Sequence, residues 1–216
     1  MDEGNNSPTI WYFADPMCSW CWGFSPVIAR IREEYGSSVR VSLNMGGLRP
    51  GTRSAISSEL RNEILHHWES VHRLTGQSFQ FENAMPEGFI YDTEPACRAV
   101  LTFARLQPAR TFEFFSEIQS AFYAGGKDVT QPGVLSGIAI GFGVDETEFL
   151  ERFQSSEMKE ATQKHFTRTR EAGIRGFPTL IWQYGDEVDL LSAGYSPYEP
   201  LARKLDELLA KTSLVN

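Results

Sequence analysis

The stretch Ala14-Asp15-Pro16-Met17-Cys18-Ser19-Trp20-Cys21-Trp22 puts two cysteines three positions apart, directly after the apolar run Ile10-Trp11-Tyr12-Phe13 and before a helix-like segment. Two thiols at that spacing at a helix start can close a small disulfide ring and reopen it. The first thiol faces the positive end of the helix dipole, which favours its thiolate. Two other readings compete: ordinary helix thiols that never bond, or part of a zinc site. Zinc would need about four Cys or His ligands. Beyond this pair the chain offers only Cys97 and the histidines His66, His67, His72 and His165, with no two histidines at helical i,i+4 spacing.

Upstream, Thr9–Ala14 is β-branched and aromatic and reads as a buried strand. Downstream, a helix is expected from about Cys18 to Tyr35, with Gly36 closing it and Pro26 kinking it. Val39–Met45 is a second strand, ending in Gly46-Gly47. Strand, helix and strand at this length form a right-handed crossover and hence a parallel pair. From 52 to 172 the periodicity is helical almost throughout. Helix starts are expected at Thr93 with Pro95, at Thr130 with Pro132, and at Asp145, where Glu148 completes a capping box. Strand character returns at Thr179–Gln183, and a turn at Tyr184-Gly185-Asp186 pairs it with Glu187–Ser192. An amphipathic helix from Pro200 to Lys211 closes the chain. The order β-α-β, helical block, β-β-α describes a split α/β sheet: residues 1–51 and 173–216 form one discontinuous domain, and 52–172 an inserted helical domain.

A chain of 216 residues can bury a sizeable core. Its net charge of -8 argues against nucleic acid, because phosphate binding needs a basic face. No apolar run approaches the ~20 residues that span a bilayer. Three cysteines are too few for a secreted disulfide scaffold. The polar, acidic start, Met1 to Thr9, lacks the pattern of a signal peptide, so a cytoplasmic protein is expected. The sequence does not specify an oligomeric state.

The element order, together with Asp15-Pro16-Met17-Cys18-Ser19-Trp20-Cys21-Trp22, Gly46-Gly47-Leu48-Arg49-Pro50, Thr93-Glu94-Pro95-Ala96-Cys97-Arg98-Ala99 and Gly176-Phe177-Pro178-Thr179, resembles the DsbA-like branch of the thioredoxin superfamily. Within it, the chain is similar to the cytosolic FrnE-type group of disulfide isomerases. The resemblance implies a thioredoxin fold with a helical insertion over the active site. It implies Cys18 as attacking nucleophile, Cys21 as resolving thiol, and Pro178 as a cis-proline that leaves the backbone before it free to pair with an extended substrate. Protein or small-molecule disulfides are the expected substrates, with a thiol reductant as partner. No cofactor is expected beyond the redox-active pair, and glutathione is a candidate co-substrate.

The residues around the pair refine this expectation. DsbA has a histidine between its cysteines that helps hold the thiolate. Here the pair is Ser19-Trp20, so the couple is expected to lie below DsbA's ~-120 mV. Asp15 is a candidate proton shuttle for Cys21 or a cap for the first turn. Trp20, Trp22 and Phe177 are candidate substrate contacts, with core packing the ordinary role of Trp22. Cys97 reads as a small core filler, and Arg49 as a surface cation able to meet an anionic ligand. Two rival functions share these features. One is a glutathione-dependent isomerase or transferase like 2-hydroxychromene-2-carboxylate isomerase and the kappa-class glutathione transferases, which replace the nucleophilic cysteine by serine and lack the resolving one. The other is a non-enzymatic chaperone or binding module.

Overall fold

In the computed structural model, which describes residues 7–215, a four-stranded mixed sheet carries the Cys-X-X-Cys helix at one end of its central strand. The elements run β1 (Thr9–Ala14), α1 (Ser19–Tyr35), β2 (Arg40–Met45), α2 (Ser58–Thr75), α3 (Glu94–Leu106), α4 (Thr111–Tyr123), α5 (Pro132–Gly141), α6 (Glu146–Gln154), α7 (Ser156–Glu171), β3 (Thr179–Tyr184), β4 (Glu187–Ala193) and α8 (Tyr198–Val215). The sheet order is β2-β1-β3-β4, with β1 parallel to β2 and antiparallel to β3, and β3 antiparallel to β4. This is the expected thioredoxin fold, with helices α2 to α7 inserted between its two halves.

The register explains why distant segments meet. Ala14 pairs with Met45 and Phe13 with Thr179. The end of β1, the Gly46-Gly47 corner and the Phe177-Pro178 turn therefore lie side by side. Helix α1 packs against α8, α2 and α4, while α7 lies against β2. A single cluster of buried residues runs from Ile10, Tyr12 and Leu180 in the sheet to Phe103, Phe114 and Phe149 among the inserted helices.

Several local expectations shift. Helix α1 begins at Ser19 with Cys18 as its N-cap, and it runs through Pro26. Gly36 closes it in an ordinary right-handed conformation (φ -61°) rather than a left-handed cap. Thr93 precedes α3 without capping it: its Oγ1 accepts the Arg49 N–H, and the Glu94 N–H goes to Asp92 Oδ1. Gln131, not Thr130, is the residue before α5, and the Thr130 hydroxyl donates to Asp128. Asp145 does cap α6, accepting from Glu148 N at 2.9 Å.

Candidate active site

Cys18 and Cys21 occupy unlike places one turn apart. Cys18 is 5% exposed and Cys21 wholly buried. Cys18 has extended backbone (φ -97°, ψ 116°), and its carbonyl already accepts from Trp22 N, so its side chain projects at the open end of α1. The first turn carries no acidic residue to neutralise the positive end of the helix. The Cys18 thiol donates to the Phe177 carbonyl at 3.5 Å. Burial, then the neighbouring Cys18, pushes the Cys21 thiol well above its usual range; the Asp15 carboxyl adds to this, while the Asp15 backbone pulls the other way. All three cysteines are free thiols.

Asp15, also wholly buried, ties the site together. One carboxylate oxygen accepts the Met17 N–H at 2.8 Å, which closes the turn leading into α1. The other accepts the Leu48 N–H at 2.7 Å and the Cys97 thiol at 3.4 Å. Burial raises its pKa, and these donors oppose the rise without cancelling it. The carboxylate does not cap α1, whose N-cap is Cys18; it closes the turn before the helix and ties that turn to the loop after β2. Cys97 is a buried filler that also touches the site's carboxylate. Tyr91 donates to the Met17 carbonyl, and the Arg49 guanidinium lies 5.8 Å from its ring.

The Phe177–Pro178 bond is cis, and Pro178 is buried. Phe177 is half-buried with its ring pressed on Gly46: a Cβ there would lie 2.2 Å from the ring. Gly47 (φ +72°) likewise leaves room for Phe166, whose ring would approach a Cβ to 2.7 Å. Pro178 is held from the other side by Gly194 N, which donates to its carbonyl at 2.7 Å. Trp20 is half-buried beside Tyr195, with ring centroids 6.1 Å apart. Trp22 turns inward: its Nε1 donates to the Ser78 carbonyl at 3.0 Å and its ring stacks on Tyr123. That placement fits packing rather than substrate contact.

Sequence reading missed four residues. Tyr91, Tyr195 and Tyr123 reach the site from loops and helices far along the chain, and no local motif marks them. Tyr12 was visible only as part of an apolar strand, though strand alternation places it on the same face of β1 as Ile10 and Ala14. Among the described residues no three His, Cys, Asp or Glu side chains gather as metal ligands, and no helix is long and apolar enough to cross a membrane.

The family model for the DSBA-like thioredoxin domain matches residues 9–206. A Nitrosomonas europaea protein, provisionally described as a protein disulfide isomerase, is 48% identical with a TM-score of 0.90, over 95% of this chain and 98% of that one. The cytosolic disulfide reductase DsbM from Pseudomonas aeruginosa is 27% identical with a TM-score of 0.79, over 94% and 98% of the two chains. DsbM has also been solved with GSH. A curated relative is the ClpXP adapter protein SpxH of Bacillus subtilis, 26% identical over 93% of this chain. The chain spans about two thirds (67%) of that relative's length.

Proposed function

Since the chain belongs to the DSBA-like thioredoxin domain family, we propose that it is a cytosolic thiol–disulfide reductase or isomerase with Cys18 as its nucleophile. The observation that carries this reading is the asymmetry of the pair. One sulfur sits slightly exposed at a helix N-terminus, and the other is wholly buried with its pKa raised. The Cys18 thiolate attacks a substrate disulfide, and one substrate sulfur leaves as a thiolate. Cys21, as thiolate, then attacks Cys18 Sγ, closes the Cys18–Cys21 disulfide and releases the second substrate sulfur. Two equivalents of an external thiol restore the dithiol: the first forms a mixed disulfide at Cys18 and frees Cys21, and the second displaces it and leaves as the disulfide. The Phe177 carbonyl, which faces Cys18, is positioned to accept a backbone N–H from the substrate beside Pro178. Trp20 and Phe177 form apolar walls for that substrate.

A reducing direction follows from the Ser19-Trp20 pair, which brings no charge to hold the thiolate. A low-molecular-weight anionic thiol such as glutathione suits the partly buried Arg49, and DsbM with GSH supports that choice. The two intact cysteines speak against the 2-hydroxychromene-2-carboxylate isomerase or glutathione transferase reading. The SpxH relatives favour one second reading, an adapter that works by binding a protein partner. A glutathione redox titration of the Cys18–Cys21 pair, run beside insulin reduction with Cys18→Ser as control, separates the two. The oxidoreductase reading expects a titrating couple more reducing than about -120 mV and complete loss of turnover in Cys18→Ser. Turnover that survives Cys18→Ser refutes it.

A further inference from the structure

Tyr12 lies in the middle of β1, wholly buried, with Phe24 of α1 and Phe115 of α4 packed around its ring at centroid distances of 5.8 and 6.2 Å. Phe24 lies three positions after Cys21 on the same buried face of α1, so the ring that packs on it brings its hydroxyl toward the Cys21 thiol, with Cys18 also within electrostatic reach. Among the described residues, nothing is placed to give that hydroxyl a regular hydrogen bond. A buried hydroxyl without a partner lowers stability, and phenylalanine would fill the same space without that cost. The resting fold therefore gives no reason for an oxygen at this point. The reaction does: negative charge forms on Cys21 each time the pair opens or closes, in a pocket closed to water.

We propose that Tyr12 is a catalytic residue whose O–H donates a hydrogen bond to the Cys21 sulfur as charge develops there during thiol–disulfide exchange. The proposal rests on the redox reading of the Cys18–Cys21 pair. When an external thiolate attacks Cys18 Sγ of the disulfide, a new S–S bond forms to Cys18. The Cys18–Cys21 bond breaks and its electron pair leaves on Cys21. In the reverse step the Cys21 thiolate attacks Cys18 and the external sulfur leaves as thiolate. Both steps pass through a partly charged Cys21. The groups that face it are Cys18 from α1, and Tyr12 and Asp15 from β1 and its end. The Asp15 carboxylate repels the charge, and Cys18 is occupied in the S–S bond. Besides the Asp15 backbone, which already favours charge on Cys21, Tyr12 is the side chain left to donate, and burial keeps its proton on the oxygen.

The test is Tyr12→Phe, with stopped-flow tryptophan fluorescence following reduction of the protein's own disulfide by dithiothreitol and its re-formation from the glutathione mixed disulfide. A hydrogen bond to a charging sulfur predicts that opening and closing both slow by about ten- to a hundredfold. The glutathione equilibrium at neutral pH stays put, because Cys21 is a neutral thiol in the resting dithiol. Thermal stability is unchanged or higher. Phe115→Leu, which loosens the same pocket without removing a donor, keeps wild-type rates. Rates unchanged in Tyr12→Phe overturn the proposal; so does slowing accompanied by a lower Tm, or equal slowing in Phe115→Leu. A wild-type pair that does not cycle at all refutes the redox reading instead, whereas a cycling wild type matched by Tyr12→Phe removes only the role of Tyr12.

Discussion

His165 makes the end of β2 sensitive to acid. It lies on α7, mostly buried, and its Nδ1 accepts the Met45 N–H at 3.2 Å, so the ring is held as the neutral tautomer. Burial, with Arg168 and Arg105 nearby, lowers its pKa from 6.5 to about 4. The unfolded chain therefore takes up the proton first. Stability from this group is fully present above the unfolded value and is lost as pH falls from 6.5 toward about 4. A shift of that size, at 1.36 kcal/mol per unit, amounts to about 3 kcal/mol across the window. Urea unfolding midpoints in steps through that range measure it, with His165→Gln as partner: glutamine can still accept from Met45 N but does not titrate. The wild type should lose about 3 kcal/mol relative to the variant between the two ends of the window. The raised pKa of Asp15 gives a slope of opposite sign in both proteins and cancels in the difference. Parallel pH curves for wild type and His165→Gln would refute the reasoning.

Two other perturbations read the site's geometry. Gly46→Ala drives a methyl group into the Phe177 ring, which lies 2.2 Å from the new Cβ. The ring must swing away at a cost of about 1–3 kcal/mol, with a lower Tm and slower reduction of insulin, since the displaced loop also carries the carbonyl that faces Cys18. Asp15→Asn removes the carboxylate that opposes charge on Cys21. In a Cys18→Ala background, ultraviolet thiolate absorbance should place the Cys21 ionisation lower than with Asp15 present, and no shift would show that this carboxylate does not act on Cys21.

Much of this arrangement was legible in the sequence because strand and helix periods are local. The run Thr9–Ala14, the Cys-X-X-Cys start of α1 and the hairpin after Thr179 announce themselves within a few residues. The polar contacts of the site were not legible, because they join positions far apart. Asp15 closes the turn at Met17 rather than capping α1, and its other oxygen meets Leu48 and Cys97, 33 and 82 positions away. Thr93 failed as a cap for the same reason: the loop after β2 presents the Arg49 N–H to its hydroxyl. Gly46-Gly47 read as a strand terminator, whereas its backbone is also the floor under Phe177 and Phe166. In each case a tertiary partner took a group that local propensity had assigned elsewhere.

The same long-range contacts argue for a division of labour between the two sulfurs. Cys18 is set mainly by local structure, the helix N-terminus, with one distant partner, the Phe177 carbonyl, and it is the less buried of the two sulfurs. Cys21 is set by tertiary structure: the sheet places Tyr12 beside it, and the loop after β2 fixes the nearby Asp15. Burial and Asp15 disfavour the Cys21 thiolate, so on the proposed mechanism a mixed disulfide at Cys18 waits until Cys21 loses its proton. That delay is useful to an isomerase, which must hold its substrate long enough for a second thiol within the substrate to attack. It is a hindrance to a simple reductase. Asp15→Asn, by making Cys21 more acidic, should therefore shift the balance from isomerisation of a scrambled disulfide protein toward net reduction. A variant that lowers the Cys21 pKa yet leaves that ratio unchanged would show that resolution is not limited by the Cys21 proton.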